Sequence, residues 1–447
     1  MSQLVIQSAR SLRGRIRVPG DKSISHRSLL LGALADGITS VDGFLYSGDC
    51  WATLRCMRDL GVEIEADIDG NSLVIHGRGL HGLQAPTGSL NCERSGTTMR
   101  LLAGILSGQP FPSTLTGDSQ LLRRPMRRVV DPLRRMEADI HDDGGTAPLV
   151  VRGKSLVGYD HTLAVASAQV KSAILLAGLY ASGRTTVRQP APARDHTERL
   201  LAAMGAPIWT EDLTVIVNQT SSLRPLALSI PGDLSSAAFL VAAACLVPNS
   251  ELTVENVGIN PTRTGFLDVL REMNADLALE KEARDGPEPS ADLTVRHSKL
   301  KGTEIGGTTV VRMIDEFPIL AVAATQAIGQ TVVRGAEELR VKESDRISSV
   351  VEELSKMGGA IEAQSDGFVV RGPAPLSGTT VNSRGDHRLA MALTVAGLIA
   401  EGETIVEGAE CIGDSFPGFV PSLRELGACL ELDDQKAQAT AEFRGWQ

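Results

Sequence analysis

Apolar positions along this chain form two alternating kinds of run. The first is amphipathic and closes on Met or Leu, usually then Gly, then Ala or Val before a strand. Six runs end this way, at Leu60-Gly61-Val62, Met136-Glu137-Ala138, Met204-Gly205-Ala206, Met273-Asn274-Ala275, Met357-Gly358-Gly359 and Leu426-Gly427-Ala428. Gly after a last turn predicts a helix C-terminus, because glycine takes the left-handed conformation without strain. After most of these ends come two short alternating strands with a turn, as in Val62-Glu63-Ile64 and Leu73-Val74-Ile75 around Asp69-Gly70-Asn71.

The second kind is apolar on most sides, as in Ala321-Val322-Ala323-Ala324 and Ala390-Met391-Ala392-Leu393. Such helices are predicted over 95–106, 167–180, 314–328 and 387–399, and after two Pro-Gly-Asp turns. Helices apolar all round belong inside a domain. Most of these runs end in Gly before a β-rich segment such as Gly402-Glu403-Thr404-Ile405-Val406. Together the two kinds define a β-α-β-α-β-β unit repeated six times.

The two Pro-Gly-Asp turns are near twins. Val18-Pro19-Gly20-Asp21-Lys22-Ser23 leads into Leu29-Leu30-Leu31, and Ile230-Pro231-Gly232-Asp233-Leu234-Ser235 into Leu240-Val241-Ala242. Lys22 and Arg27 are replaced in the second copy by Leu234 and Phe239, so shared architecture carries its cations on one copy only. The reading is an α/β chain of two similar domains, three units each. Residues 21–230 form one domain and 1–20 plus 231–447 the other, with crossovers near 20 and 231.

Composition narrows the function. The chain has 447 residues, too many for one core, and only 3% are aromatic. Few aromatics and a net charge of −10 argue against nucleic-acid binding. Cations focused on an acidic protein point to a small anionic ligand. Cys50, Cys56, Cys92, Cys245, Cys411 and Cys429 form no CxxC pair, which suits reduced thiols in the cytoplasm. No signal peptide or membrane-length apolar stretch is expected.

Cations and hydroxyls recur where the buried helices begin. Lys22, Ser23 and Arg27 cluster at the first start, where unpaired N–H groups and the positive dipole end favour an anion. Arg94-Ser95-Gly96-Thr97-Thr98-Met99-Arg100 opens another, with Gly96 admitting close approach to the backbone. Leu122-Arg123-Arg124-Pro125-Met126 reads as a basic turn before a Pro-started helix. Ser167-Ala168-Gln169-Val170-Lys171-Ser172 and Arg194-Asp195-His196-Thr197-Glu198 open two more. The second half adds Asp315-Glu316, Leu339-Arg340-Val341-Lys342-Glu343-Ser344-Asp345-Arg346 and Gly385-Asp386-His387-Arg388. Lys342 and Arg346, four apart, are expected on one helix face with Glu343 beside them. Taken singly, several of these stretches read equally well as capped helices or solvated charge.

Taken together, these stretches and Asn260-Pro261-Thr262-Arg263-Thr264-Gly265 resemble the 5-enolpyruvylshikimate-3-phosphate synthase family, over nearly the whole chain. The branch resembled uses Ser-Ala-Gln-Val-Lys-Ser rather than Ser-Ser-Gln. The resemblance implies the enolpyruvyl transferase fold, an inside-out α/β barrel in each domain. It implies transfer of the enolpyruvyl group of phosphoenolpyruvate to the 5-hydroxyl of shikimate 3-phosphate, through a tetrahedral intermediate. It implies Lys22, Ser23, Arg27, Ser167, Ala168, Gln169, Arg194, Asp315 and Lys342 around shikimate 3-phosphate. Around phosphoenolpyruvate it implies Lys22, Gly96, Arg124, Gln169, Arg346 and Arg388. Asp315 would take the hydroxyl proton, and Glu343 with Lys22 would protonate the methylene carbon. No metal or organic cofactor, nucleic acid or membrane is implied, and a monomer is. Gly96 leaves open space, so sensitivity to phosphonate mimics such as glyphosate is expected.

Two positions depart from the family. Arg94 stands where Asn is common, and Asp414 precedes Ser415-Phe416-Pro417 where some members have Lys. Two other readings stay open. UDP-N-acetylglucosamine enolpyruvyl transferase has the same fold and donor. It usually carries a reactive Cys or Asp on the loop matching 113–124, where this chain has Asp118, but has Lys-Asn in place of Lys22-Ser23. A non-catalytic two-domain anion receptor would need the cations but neither Asp315 nor Glu343.

Overall fold

The computed structural model describes residues 2–284 and 286–433. The chain divides into two compact units. One comprises Pro19–Pro231 with Ala283–Pro289, the other Met1–Val18, Gly232–Glu282 and Ser290 onward. Each unit has its own continuous apolar core.

Among the described residues each unit contains three four-stranded sheets of one design. In the sheet Leu90–Asn91, Pro112–Thr116, Thr146–Arg152 and Asp139–Asp143, the short first strand runs parallel to the second. The second is antiparallel to its other neighbour. The same parallel-then-antiparallel order holds in the other five. In four of the six, a buried helix lies between the two parallel strands in the chain, as the β-α-β-α-β-β reading requires.

The chain departs from simple repetition at the Pro-Gly-Asp turns. Strand Arg13–Arg17 runs into the helix Lys22–Ala33 but pairs with Glu251–Gly258. Strand Ala227–Ser229 runs into the helix Leu234–Leu246 but pairs with Ile38–Asp42. The leading strands of the two twins are thus exchanged. Strand Gln3–Ile6 completes the sheet of Thr404–Glu407 and Leu430–Asp433.

Local chemistry explains the helix ends. Asp21, Ser95, Ser167, Asp233 and Asp386 each accept a hydrogen bond from a first-turn N–H of a buried helix. Such caps are worth about 1 kcal/mol each. At the six amphipathic helix ends, Gly61, Glu137, Gly205, Asn274, Gly358 and Gly427 all have positive φ. The left-handed stop is therefore kept even where Glu137 and Asn274 replace glycine.

The buried helices are apolar because they have no solvent face. All 13 residues of Leu234–Leu246 are buried. Sequestering each leucine-sized side chain contributes about 1.5–3 kcal/mol. Close packing needs small residues: a Cβ at Gly104 would lie 2.2 Å from the carbonyl oxygen of Ala173 on the next buried helix. Among the described residues no helix is long and apolar enough to cross a membrane.

Three local expectations need correction. Pro125 stands ahead of its helix, which covers Arg127–Arg135 with Met126 at the cap. The helix predicted over 314–328 starts later, at Phe317–Thr325, and Asp315 lies in the turn between it and the short helix Thr308–Arg312. Lys342 closes a 3-10 turn, Glu337–Val341, whereas Arg346 begins the next helix, Arg346–Lys356. They do not share a helix face, because the Asp345 cap restarts the helix.

Candidate functional site

In the unit built on Pro19–Pro231, the helix starts bring cations together. Lys22 is the first residue of Lys22–Ala33, and its Nζ lies 3.1 Å from Asp49 Oδ2. Both side chains are largely shielded. Asp49 belongs to the first turn of Gly48–Asp59 and carries no signal in its sequence context.

Arg27 is buried. Its Nε donates to Thr197 Oγ1 at 2.6 Å, Nη1 to the Ser23 carbonyl at 2.9 Å and Nη2 to Ser172 Oγ at 2.8 Å. Burial pulls its pKa down to about 10, Glu198 and Asp21 oppose the fall, and Arg194 adds to it. Arg27 thus stays cationic at neutral pH with fixed geometry. His26 beside it is pushed to about 3 by burial, and its Nδ1 meets Thr53 Oγ1 at 2.7 Å.

Gly96 sits between two guanidinium groups. A Cβ there would lie 2.9 Å from Arg100 Nη1 and 3.2 Å from Arg124 Nη1. Arg100 donates to Gln169 Oε1 at 2.5 Å, and Gln169 Nε2 donates to Thr97 Oγ1 at 2.9 Å. Gln169 therefore ties the starts of Gly96–Ser107 and Ala168–Gly178 together. Arg100 was part of the sequence motif but not among the expected contacts. Ser167 caps the helix that begins at Ala168, through Val170 N–H. Arg194 immediately precedes Asp195, the cap position of His196–Ala203. Arg94 donates to Gln120 Oε1 at 2.9 Å and lies 3.9 Å from Asp118.

The other unit holds a second constellation. Arg346, 2% exposed, donates to Asp386 at 2.8 Å, Glu343 at 2.6 Å and Asp315 at 3.2 Å. Arg388 Nη2 reaches the second oxygen of Asp315 at 3.4 Å. Burial alone would lower the Arg346 pKa, but Asp386, Glu343 and Asp315 outweigh it and raise it. Four expected residues, Asp315, Glu343, Arg346 and Arg388, are thus in one ion-paired group, and Lys342 directly precedes Glu343.

Asp386 is the residue that sequence reasoning passed over. It is fully buried, grips Arg346, accepts from Ser344 Oγ at 3.1 Å and caps His387–Ile399 through Arg388 N–H. One carboxylate therefore holds the Arg346 side chain and caps the helix that carries Arg388. Its place in Asp386-His387-Arg388 marked it as part of the motif, but not as the anchor of Arg346.

The second Pro-Gly-Asp helix makes a different use of the same start. Arg263 donates to Asp233 at 3.0 Å and to Ser235 Oγ at 2.7 Å, and Ser235 donates to Glu316. The cation missing from this twin comes from another element and is spent on buried polar groups. Among the described residues, one trio of metal-ligand type occurs, Glu63, Glu65 and His76. Two of the three are solvent-exposed, and His76 already pairs with Glu65 at 2.7 Å.

Six like-ordered sheets around buried helices, with arginines and carboxylates clustered at helix starts, are the build of an enolpyruvyl transferase. The enolpyruvyl transferase NikO from Streptomyces tendae shares the fold, with a TM-score of 0.81 at 18% identity, covering 96% of this chain and 98% of that one. The chain belongs to the EPSP synthase (3-phosphoshikimate 1-carboxyvinyltransferase) family, whose pattern matches residues 6–423. A 3-phosphoshikimate 1-carboxyvinyltransferase of Brevibacillus brevis is 51% identical over 418 residues, 93% of this chain and 98% of the relative. One from Alkalilimnicola ehrlichii is 52% identical over 431 residues, 96% of each. The EPSP synthase structure from Acinetobacter baumannii has a TM-score of 0.88 at 44% identity and covers 97% of this chain and all of that one.

Proposed function

We infer that this chain is a transferase that moves the enolpyruvyl group of phosphoenolpyruvate to the 5-hydroxyl of shikimate 3-phosphate, releasing phosphate in the shikimate pathway. The observation that carries this reading is the family match across residues 6–423, joined to relatives about half identical over nearly their whole length.

The assigned chemistry follows from the residue types. Both substrates are anions with a phosphate and a carboxylate, and guanidinium forks suit both groups. Shikimate 3-phosphate is held by Lys22, Ser23, Arg27, Ser167, Ala168, Gln169, Arg194, Asp315 and Lys342. Phosphoenolpyruvate is held by Lys22, Gly96, Arg124, Gln169, Arg346 and Arg388. Asp315 accepts the 5-hydroxyl proton as that oxygen bonds to C2 of phosphoenolpyruvate. Glu343 with Lys22 delivers a proton to the methylene carbon. The tetrahedral adduct then loses a methyl proton and its phosphate, restoring the enol double bond. Cations already in place stabilise the charge of this adduct without reorganising. The chain works in the cytoplasm as a monomer, and no metal or organic cofactor enters the scheme.

Phosphate release from phosphoenolpyruvate tests the reading, with shikimate 3-phosphate and then the UDP-sugar as acceptor. Release with the first alone is expected. Release with the sugar alone makes the chain the sister enzyme, and release with neither makes it an anion receptor.

A further inference from the structure

The hairpin of strands Asp276–Ala283 and Ser290–Arg296 belongs by its strands to one unit, yet its tip, Ala283–Pro289, groups with the other. Within that second unit, the tip seats the start of the helix His196–Ala203. Glu288 Oε1 lies 2.7 Å from His196 Nδ1, and their side chains are 2% and 1% exposed. Three residues along, Arg199 Nη1 donates to the Pro287 carbonyl at 3.3 Å. Two contacts about one turn apart oppose rotation of a helix about its axis.

The seated turn holds the cations assigned above to shikimate 3-phosphate. Thr197 accepts from Arg27 Nε at 2.6 Å and meets Ser172 Oγ at 2.7 Å. Glu198 pairs with the fully buried Lys171 at 2.6 Å. Arg194 stands two residues before His196. We propose that Glu288 is a positioning residue for shikimate 3-phosphate: through His196 it sets the first turn of this helix, and hence the placement of Arg194 and Arg27. The proposal rests on the functional reading given above.

The test is direct binding of shikimate 3-phosphate by titration calorimetry, with steady-state kinetics, on the full chain. Glu288→Ala is expected to raise Kd and KM for shikimate 3-phosphate about tenfold, with kcat and KM for phosphoenolpyruvate within about twofold. Glu288→Gln keeps an acceptor for His196 and should recover most of the loss. His196→Ala should match Glu288→Ala, and the double variant should be no worse than either, because one contact is removed in each. If Glu288→Ala is not recovered folded, Glu288→Asp carries the test, since the shortened carboxylate must also raise Kd. A variant that binds shikimate 3-phosphate as wild type does, or weakens both substrates alike, overturns the proposal. Arg194→Ala separates the failures. A loss there with none at Glu288 overturns the positioning role alone. A wild-type chain that does not bind shikimate 3-phosphate overturns the functional reading and the proposal together.

Discussion

Replacing Asp386 by Asn should disarm one constellation while changing almost no volume. Asp386 makes four polar contacts: Arg346 Nε at 2.8 Å, Arg346 Nη2 at 3.4 Å, Ser344 Oγ at 3.1 Å and Arg388 N–H at 2.9 Å. Asn keeps one acceptor oxygen and presents an NH2 to donors on the other side. It cannot serve both the Arg346 Nε–H and the helix cap. A hydrogen bond to a charged group is worth about 1.5–3 kcal/mol, and breaking a buried pair costs about 3–5 kcal/mol. Glu343 and Asp315 still neutralise Arg346, so the loss belongs at the low end, about 3 kcal/mol. At about 1.4 kcal/mol per tenfold, kcat/KM for phosphoenolpyruvate should fall about 100-fold. The melting point of the unit that holds Asp386 should fall by about 6–12 °C. Phosphate release at varied phosphoenolpyruvate, with a thermal melt, measures both. A variant within about threefold of wild type in kcat/KM refutes the claim that Asp386 aims Arg346.

Four other outcomes are expected. Lys22→Ala should lower kcat by about 1,000-fold or more with an unchanged circular dichroism spectrum, and near-normal turnover would remove Lys22 from the chemistry. Gly96→Ala places a methyl against the guanidinium ends of Arg100 and Arg124, side-chain atoms rather than backbone, so the protein should fold and the inhibition constant for glyphosate should rise. An unchanged constant defeats that reading of Gly96. Arg94→Asn frees the Gln120 side of the loop before Arg124, so KM for phosphoenolpyruvate should rise by about threefold with kcat held, and Gln120→Ala should do the same without adding to it. His26 has a folded pKa of about 3 against 6.5 unfolded, because burial disfavours its charge. The unfolded chain therefore binds the proton first, and stability is lost as pH falls from 6.5 toward 3, by up to about 1.4 kcal/mol per unit. His26→Gln should lose less between pH 7 and 5 in urea titrations than wild type does, and equal losses would show that His26 is not the group.

The repeat was legible because its signals are local. Caps at Asp21, Ser95, Ser167, Asp233 and Asp386 act within one turn, and so do the left-handed stops after the amphipathic helices. Helices such as Leu234–Leu246 advertise their burial through composition alone. Arg346, Arg388, Glu343 and Asp315 were found because each sits in a motif dense in charge. Exact starts were less legible. The turn at Asp315 delays the helix predicted from 314 to Phe317, and the cap at Asp345 separates Lys342 from the helix of Arg346.

What this sequence determined by itself was the unit, its count and the helix starts that bear cations, since each depends on residues a few positions apart. Only the tertiary structure decided which strand serves which sheet. Arg13–Arg17 and Ala227–Ser229 exchange partners because pairing is settled by which core covers a strand, and the turn that follows it is the same in both copies. Only the tertiary structure supplied the counter-ions as well. Asp49 on Lys22, Asp386 on Arg346 and Glu288 on His196 lie 27, 40 and 92 residues from their partners. An ion pair closed over such separations leaves no periodic mark on the chain, because its partners are matched by the fold.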